Sequence, residues 1–106
     1  QHTTDAGIGL TLEQLRQQMD SLDAEIIDLI ARRMELSARI GEVKKECNMT
    51  AYQPERWREI VETRSSRAEK HNLSQEFIVA LYEKIHDESI KKQLEVLQAL
   101  MNEVKG

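Results

Sequence analysis

The sequence has few of the residues that build β-proteins or disulfide-linked folds. Its 106 residues include one proline, four glycines, one tryptophan, two tyrosines and one phenylalanine. A β-sandwich or barrel needs many turns and many β-forming residues, so this composition argues against both. A single cysteine excludes an intrachain disulfide framework and a multi-cysteine zinc site. It suits a reducing compartment, and we expect a cytoplasmic protein.

Long apolar runs and an excess of basic charge are also missing. No stretch approaches the ~18 apolar residues that a membrane span needs. The net charge is −4, which gives no general reason to expect nucleic acid as a partner. The length suits one domain. Residues 1–9 are small, polar and contain glycine, and we interpret them as a flexible tail or linker.

What the sequence does contain is helical periodicity. From about Thr11 to Cys47, apolar residues follow one another in steps of three, four or seven, which is a nearly perfect heptad stripe. Thr11 is a plausible N-cap, and Gln14 completes a weak capping box. The stripe consists of Leu15, Met19, Leu22, Ile26, Leu29, Leu36, Ile40, Val43 and Cys47.

Two further helices follow. The second begins at Pro54, which suits a first helical turn, and runs to about Lys70. The third is capped by Ser74 or Asn72 and runs to about Val104. The predicted fold class is therefore all-α, with three helices in the order long, short, long.

The length of the first helix predicts a dimer. About 37 residues at 1.5 Å each span ~55 Å, whereas a compact globule of this size has a radius of gyration of only ~13 Å. The helix must project beyond its own core, and its apolar stripe continues along the projecting part. A second copy of the chain is the simplest cover, which gives a helical-bundle homodimer.

Polar residues interrupt the apolar stripes. Arg33 occupies a seam position between Leu29 and Leu36, and Lys44 lies eleven residues later, only ~20° around the helix. On the third helix, Ser89 and Gln93 continue the inward face. A buried cation or amide is costly unless it is paired, so these residues suggest a pocket for an anion. They could instead only fix the register of the helices.

A second arginine adds a geometric constraint. Arg16 precedes Arg33 by seventeen residues, which places it ~25 Å away along the same helix. The two residues cannot hold one small ligand within one chain. An antiparallel neighbour could bring its own Arg16 to this chain's Arg33, which again requires a dimer.

Five short fragments occur in a fixed order between residues 10 and 106. They are Leu15-Arg16-x-x-Met19-x-x-Leu22-Asp23, Ala31-Arg32-Arg33, Ile40-Gly41-x-x-Lys44, Pro54-x-Arg56 and Ser89-x-x-x-Gln93. The ordered set resembles the all-helical, type II chorismate mutases. This resemblance implies an intertwined three-helix dimer with two active sites and neither cofactor nor metal. It also implies conversion of chorismate to prephenate in phenylalanine and tyrosine synthesis.

The resemblance assigns roles to individual residues. Arg16 matches the arginine that reaches a substrate carboxylate from the partner subunit, and Arg33 matches a carboxylate-binding arginine of this chain. Arg56 matches an arginine that orients the substrate. Ser89 matches a side chain that forms a hydrogen bond near a carboxylate. Lys44 matches the lysine that contacts a carboxylate and the ether oxygen.

The remaining positions concern the ether oxygen and the hydroxyl group of the substrate. Gln93 matches the residue that donates to the ether oxygen, so Lys44 and Gln93 are the catalytic candidates. Gln53 and Trp57 stand where the family often has acidic residues. Gln53 could still bond the substrate hydroxyl, whereas Trp57 could offer only its indole N–H or serve as a core anchor.

These residue types suit an intramolecular Claisen rearrangement. The reaction needs no nucleophile and no metal, but it needs a dianion held in a compact shape. Guanidinium groups pair well with the two carboxylates. A cation and a neutral donor stabilise the negative charge that grows on the ether oxygen.

The third helix also carries His86, which follows Ile85 and is predicted to lie off the inward face.

Two other functions remain open. An isochorismate-pyruvate lyase has a similar fold and site. In a non-enzymatic helical dimerisation module, Arg33 and Gln93 would only fix register. Some relatives are fused to the first enzyme of the shikimate pathway or to prephenate-processing enzymes, so residues 3–9 could be a linker to such a partner.

Overall fold

The computed structural model describes residues 11–105 and contains three α-helices. Helix α1 spans Leu12–Glu46, α2 spans Pro54–Lys70 and α3 spans Gln75–Lys105. The predicted all-α class and the order long, short, long are confirmed. The proposed tail at 1–9 lies outside the described residues. None of the helices in the described part of the chain is long and apolar enough to cross a membrane.

The ends of the helices follow from local side-chain chemistry. Thr11 and Gln14 form the predicted capping box: the Thr11 N–H donates to Gln14 Oε1 at 2.9 Å, and the Gln14 N–H donates to Thr11 Oγ1 at 3.2 Å. Of the two candidate caps for α3, Ser74 performs the role, because its Oγ accepts from the Phe77 N–H at 3.1 Å. Asn72 instead adopts φ 58° in the turn after α2.

The chain divides into two compact units at Arg33, and α1 contributes residues to each. In the first unit the described residues are helical, and the predicted apolar stripe is exposed. Five of its side chains have between 47% and 60% of their surface accessible: Leu15, Met19, Leu22, Ile26 and Leu29. In the second unit Leu36, Ile40 and Val43 are also exposed.

The second unit has a small core made of apolar and polar residues. Ile60 of α2 is 1% exposed, and Ala51 and Ala68 are also buried. Beside them lie buried Ser37 and Gly41 of α1, and His86, Ser89 and Gln93 of α3.

The prediction that His86 lies off the inward face is wrong. The predicted inward face ran through Ile85, Ser89 and Gln93, and the structure buries Ser89 and Gln93 as predicted. One turn earlier it buries His86, whereas Ile85 is only half-buried. Residues three and four positions before Ser89 both lie near its face of the helix, and the structure turns the former towards the core.

Gly41 marks a close approach between α1 and α3. A Cβ at this position would lie 3.0 Å from the Cα of Gln93 and 3.1 Å from its carbonyl oxygen. Both atoms belong to a helix backbone, which cannot rotate away as a side chain would. Gly41 therefore sets the distance between the two helices at the level of Gln93.

We expect Gly41→Ala to destabilise the fold. Alanine gains ~1 kcal/mol of helix propensity, but the clash with α3 costs ~1–3 kcal/mol, so the net loss is on the order of 1 kcal/mol. Chemical unfolding measures the difference. Glu42→Ala, at the exposed neighbouring position, is the matched control and should change stability by less than ~0.5 kcal/mol. A Gly41→Ala protein as stable as the original would contradict the close approach.

Candidate active site

The second unit contains a cavity of about 430 Å³ between the C-terminal part of α1, the start of α2 and the middle of α3. This volume is in the range of small-molecule sites. Its walls combine apolar side chains with a larger number of polar and cationic ones. The lining residues are Arg33, Leu36, Ser37, Ile40, Lys44, Ala51, Gln53, Arg56, Ile60, Arg64, His86, Ser89, Ile90 and Gln93.

The charge of this wall is of one sign. Four cations line the cavity, namely Arg33, Lys44, Arg56 and Arg64, and none of the described lining residues is acidic. Burial lowers the pKa of Arg33, and the neighbouring Arg64 and Arg56 lower it further, while Tyr82 opposes the shift. Burial also lowers the pKa of Lys44. Both shifts show that the cavity disfavours uncompensated positive charge, so an anion would relieve it.

Tyr82 provides a neutral partner for two of the arginines. The Cζ atom of Arg33 lies 5.9 Å from the centre of the tyrosine ring, and that of Arg64 lies 5.7 Å from it. Both distances are within the range of a cation–π contact. The ring holds the guanidinium groups at the cavity without using their capacity to bind a carboxylate.

Lys44 is held by two oxygen atoms. Its ammonium donates to the carbonyl of Ala51 and to Gln93 Oε1, the latter at 2.9 Å. Because Oε1 of Gln93 accepts from Lys44, the amide NH₂ of Gln93 remains as a donor. A cation and a neutral donor therefore lie side by side on the cavity wall.

Ser89 is paired with a serine of α1. The hydroxyl groups of Ser37 and Ser89 share a hydrogen bond, and both residues are buried. The contact lies one helical turn from the close approach of Gly41 to Gln93. It satisfies two hydroxyl groups that would otherwise be costly to bury.

Gln53 and Arg56 occupy the start of α2. The Gln53 side chain donates from Nε2 to the Thr50 carbonyl oxygen at 2.9 Å, so it orders the preceding loop. Arg56 is exposed and pairs with Glu59 one turn later. An exposed ion pair of this kind is weak, and it leaves Arg56 available to a ligand.

The cation-lined cavity and the helix order agree with a known family. The chorismate mutase type II family model matches residues 15–94. The chain belongs to the chorismate mutase type II family. The cavity thus lies in a domain of this family.

Some relatives are much longer than this chain, and another is of similar length. The T-protein of Haemophilus influenzae is 40% identical over 67 residues, which are 63% of this chain and 18% of that protein. The bifunctional chorismate mutase/prephenate dehydratase of Escherichia coli is 27% identical over 90 residues, 85% of this chain and 23% of that protein. The chain thus spans about a fifth of the length of these relatives.

A shorter relative is matched along most of its length. The 4-amino-4-deoxychorismate mutase of Streptomyces venezuelae is 36% identical over 75 residues, which are 70% of this chain and 72% of that protein. Its name gives 4-amino-4-deoxychorismate, rather than chorismate, as its substrate.

The cavity brings together six of the eight residues that the family resemblance singled out: Arg33, Lys44, Gln53, Arg56, Ser89 and Gln93. Arg16 lies in the first unit. Trp57 is half-buried and is absent from the cavity wall; it stacks on His86 instead. The roles of all eight residues remain predictions.

Three polar or charged lining residues were missed by the sequence reasoning: Ser37, Arg64 and His86. Ser37 could have been found, because it follows Arg33 by one helical turn and precedes Gly41 by another. Arg64 follows the same helical spacing as the apolar residues of α2, so the sequence does not single it out. His86 precedes Ser89 by three residues, so the same turn rule would have placed it beside the site.

Proposed function

We propose that this domain catalyses the rearrangement of chorismate to prephenate, a step in phenylalanine and tyrosine synthesis. The observation that carries the proposal is the cavity wall with four cations, no described carboxylate and the Lys44–Gln93 pair. Such a wall suits a small dianion. Membership of the chorismate mutase family makes chorismate the first substrate to test.

Binding is proposed to restrain the substrate. Arg33 and Arg56 would take the two carboxylates together with a partner's Arg16, and Ser89 would add a hydrogen bond near one of them. A flexible dianion held at both carboxylates loses the conformations in which its reacting carbons are far apart. This restraint removes an entropic part of the barrier without any covalent step.

Charge stabilisation is proposed to supply the second part. As the C–O bond breaks, negative charge grows on the ether oxygen. Lys44 would face that oxygen with its ammonium group, and Gln93 would donate from its amide NH₂, because its Oε1 is already engaged by Lys44. Both interactions are stronger in the transition state than in the ground state, so they accelerate the reaction.

A homodimer is part of the proposal. The apolar stripe of α1 is exposed in both units, and a second copy with the same stripe is its natural complement. The partner would also supply Arg16. The exposed Cys47 suits a reducing compartment, so we place the protein in the cytoplasm. The names of the longer relatives make a fused or associated pathway enzyme part of the same proposal.

Product analysis tests the function directly. The purified chain is mixed with chorismate, with isochorismate and with 4-amino-4-deoxychorismate, and the products are identified by chromatography and mass. We expect prephenate from chorismate and little turnover of the amino analogue, because no described lining residue supplies an anion for an ammonium group. Salicylate from isochorismate as the main product would favour the lyase. No turnover of any substrate would favour the dimerisation module.

We expect Gln93→Glu to make the activity depend on pH. A protonated carboxyl can donate to the ether oxygen, whereas an ionised one repels the growing negative charge. The kcat/KM of the variant should therefore fall as pH rises, while that of the original protein stays nearly flat from mild acid to neutrality. Gln98→Glu, at an exposed site on the same helix, is the matched control. A flat profile in Gln93→Glu would remove Gln93 from the ether contact.

Complementation tests the shared site. We expect Arg16→Leu and Arg33→Leu to lose ~10²–10³ in kcat each while remaining folded. When the two variants are refolded together, half of the dimers are mixed, and each mixed dimer has one intact site. The mixture should therefore recover roughly a quarter of the original activity. Mixed dimers that stay inactive would show that Arg16 does not act across subunits.

A further inference from the structure

His86 is a buried polar residue on the cavity wall that no proposed catalytic step uses. The residue is only 8% exposed, and its side chain lines the cation-lined cavity. Among the described residues, its Nε2 atom is the one buried side-chain nitrogen or oxygen without a hydrogen-bond partner. A buried polar atom without a partner costs stability, so its presence beside a cavity points to a ligand.

Aromatic neighbours fix the orientation of the ring. The His86 imidazole stacks on Trp57 with a centroid distance of 5.0 Å and an interplanar angle of 27°. Tyr52 meets the same ring edge-on at 6.1 Å. A smaller cavity of about 150 Å³ is lined by Tyr52, Trp57, Glu83, His86 and Asp87. Trp57 thus contacts the histidine ring without lining the cation-lined cavity.

Charged neighbours keep the imidazole neutral. Burial lowers the pKa of His86, and the cations Arg33, Lys44 and Arg56 lower it further, while Asp87 opposes them. A neutral imidazole has one donor nitrogen and one acceptor nitrogen. It is therefore suited to an uncharged polar group rather than to a carboxylate.

The proposed substrate has one uncharged polar group, the ring hydroxyl, that still needs a donor. The guanidinium groups take the carboxylates, and Lys44 and Gln93 take the ether oxygen. The Gln53 NH₂ donates to the Thr50 carbonyl, so Gln53 would offer the hydroxyl its Oε1 as an acceptor. Trp57 is turned to His86 rather than to the cavity.

We propose that His86 is a further substrate-binding residue, which bonds the ring hydroxyl of chorismate while Trp57 holds its ring in place. This inference rests on the proposed function. It gives a role to the buried Nε2 atom that has no hydrogen-bond partner. It also predicts that His86 is unfavourable for folding and useful for substrate selection.

Four measurements on each protein test the role: kcat, KM, the unfolding midpoint and activity on a chorismate analogue that lacks the ring hydroxyl. The variants are His86→Leu, which removes the hydrogen bond, and His86→Gln, which retains an amide donor. His71→Leu is the matched control, because this histidine is exposed and does not line the cation-lined cavity.

We expect His86→Leu to lose about tenfold in kcat/KM on chorismate and to change little on the analogue. Its unfolding midpoint should be at least as high as that of the original protein, because the unpartnered nitrogen is gone. His86→Gln should recover most of the lost activity, and His71→Leu should match the original.

An equal loss on both substrates, or no loss on chorismate, would overturn the role of His86 alone. If His86→Leu fails to fold, His86→Gln decides: a preference for chorismate over the analogue that matches the original supports the hydrogen bond, and a lost preference overturns it. Failure of the unaltered protein to convert chorismate would instead overturn the proposed function.

Discussion

The second unit is organised around four cations that no described carboxylate of the cavity wall neutralises. Charges of like sign that share a half-buried cavity repel one another, and burial weakens the hydration that would offset this repulsion. Such an arrangement is unfavourable in the unliganded chain. Burial lowers the pKa of both Arg33 and Lys44, and for Arg33 the neighbouring Arg64 and Arg56 add to the effect.

Neutral groups hold three of these cations in position, whereas the exposed Arg56 pairs with Glu59 outside the cavity wall. The Tyr82 ring supports Arg33 and Arg64, and the Ala51 carbonyl and the Gln93 amide support Lys44. A carboxylate in any of these places would stabilise the fold more, but it would also compete with an anionic ligand. The use of π faces and amide oxygens therefore keeps positive charge available in the cavity.

The close packing of α1 and α3 serves the same end. Gly41 lets the two helices approach at Gln93, and the Ser37–Ser89 hydrogen bond lies one turn away. This approach places Gln93 within reach of Lys44. The contact that defines the core of the second unit is thus the contact that builds the ether-binding pair of the proposed mechanism.

Different parts of this arrangement were predictable to different degrees. Apolar spacing predicts the three helices, and capping residues and Pro54 predict where they begin, because both signals are local. Arg33, Lys44 and Gln93 stand out because they interrupt apolar stripes. His86 does not, because periodicity alone allows either Ile85 or His86 to precede Ser89 on the inward face, and the packing against α1 and α2 decides between them. Arg64 likewise follows ordinary helical spacing in the sequence. Its contact with the Tyr82 ring becomes visible only in the structure.

The electrostatics also bear on when the positive charge is greatest. Without a ligand, burial lowers the pKa of Lys44. A bound dianion would oppose this shift, because a nearby negative charge favours the ammonium form. Negative charge that moves onto the ether oxygen would favour it further. The cavity would therefore be most strongly cationic towards the group whose charge grows during the reaction, and no proton has to be transferred for that to happen.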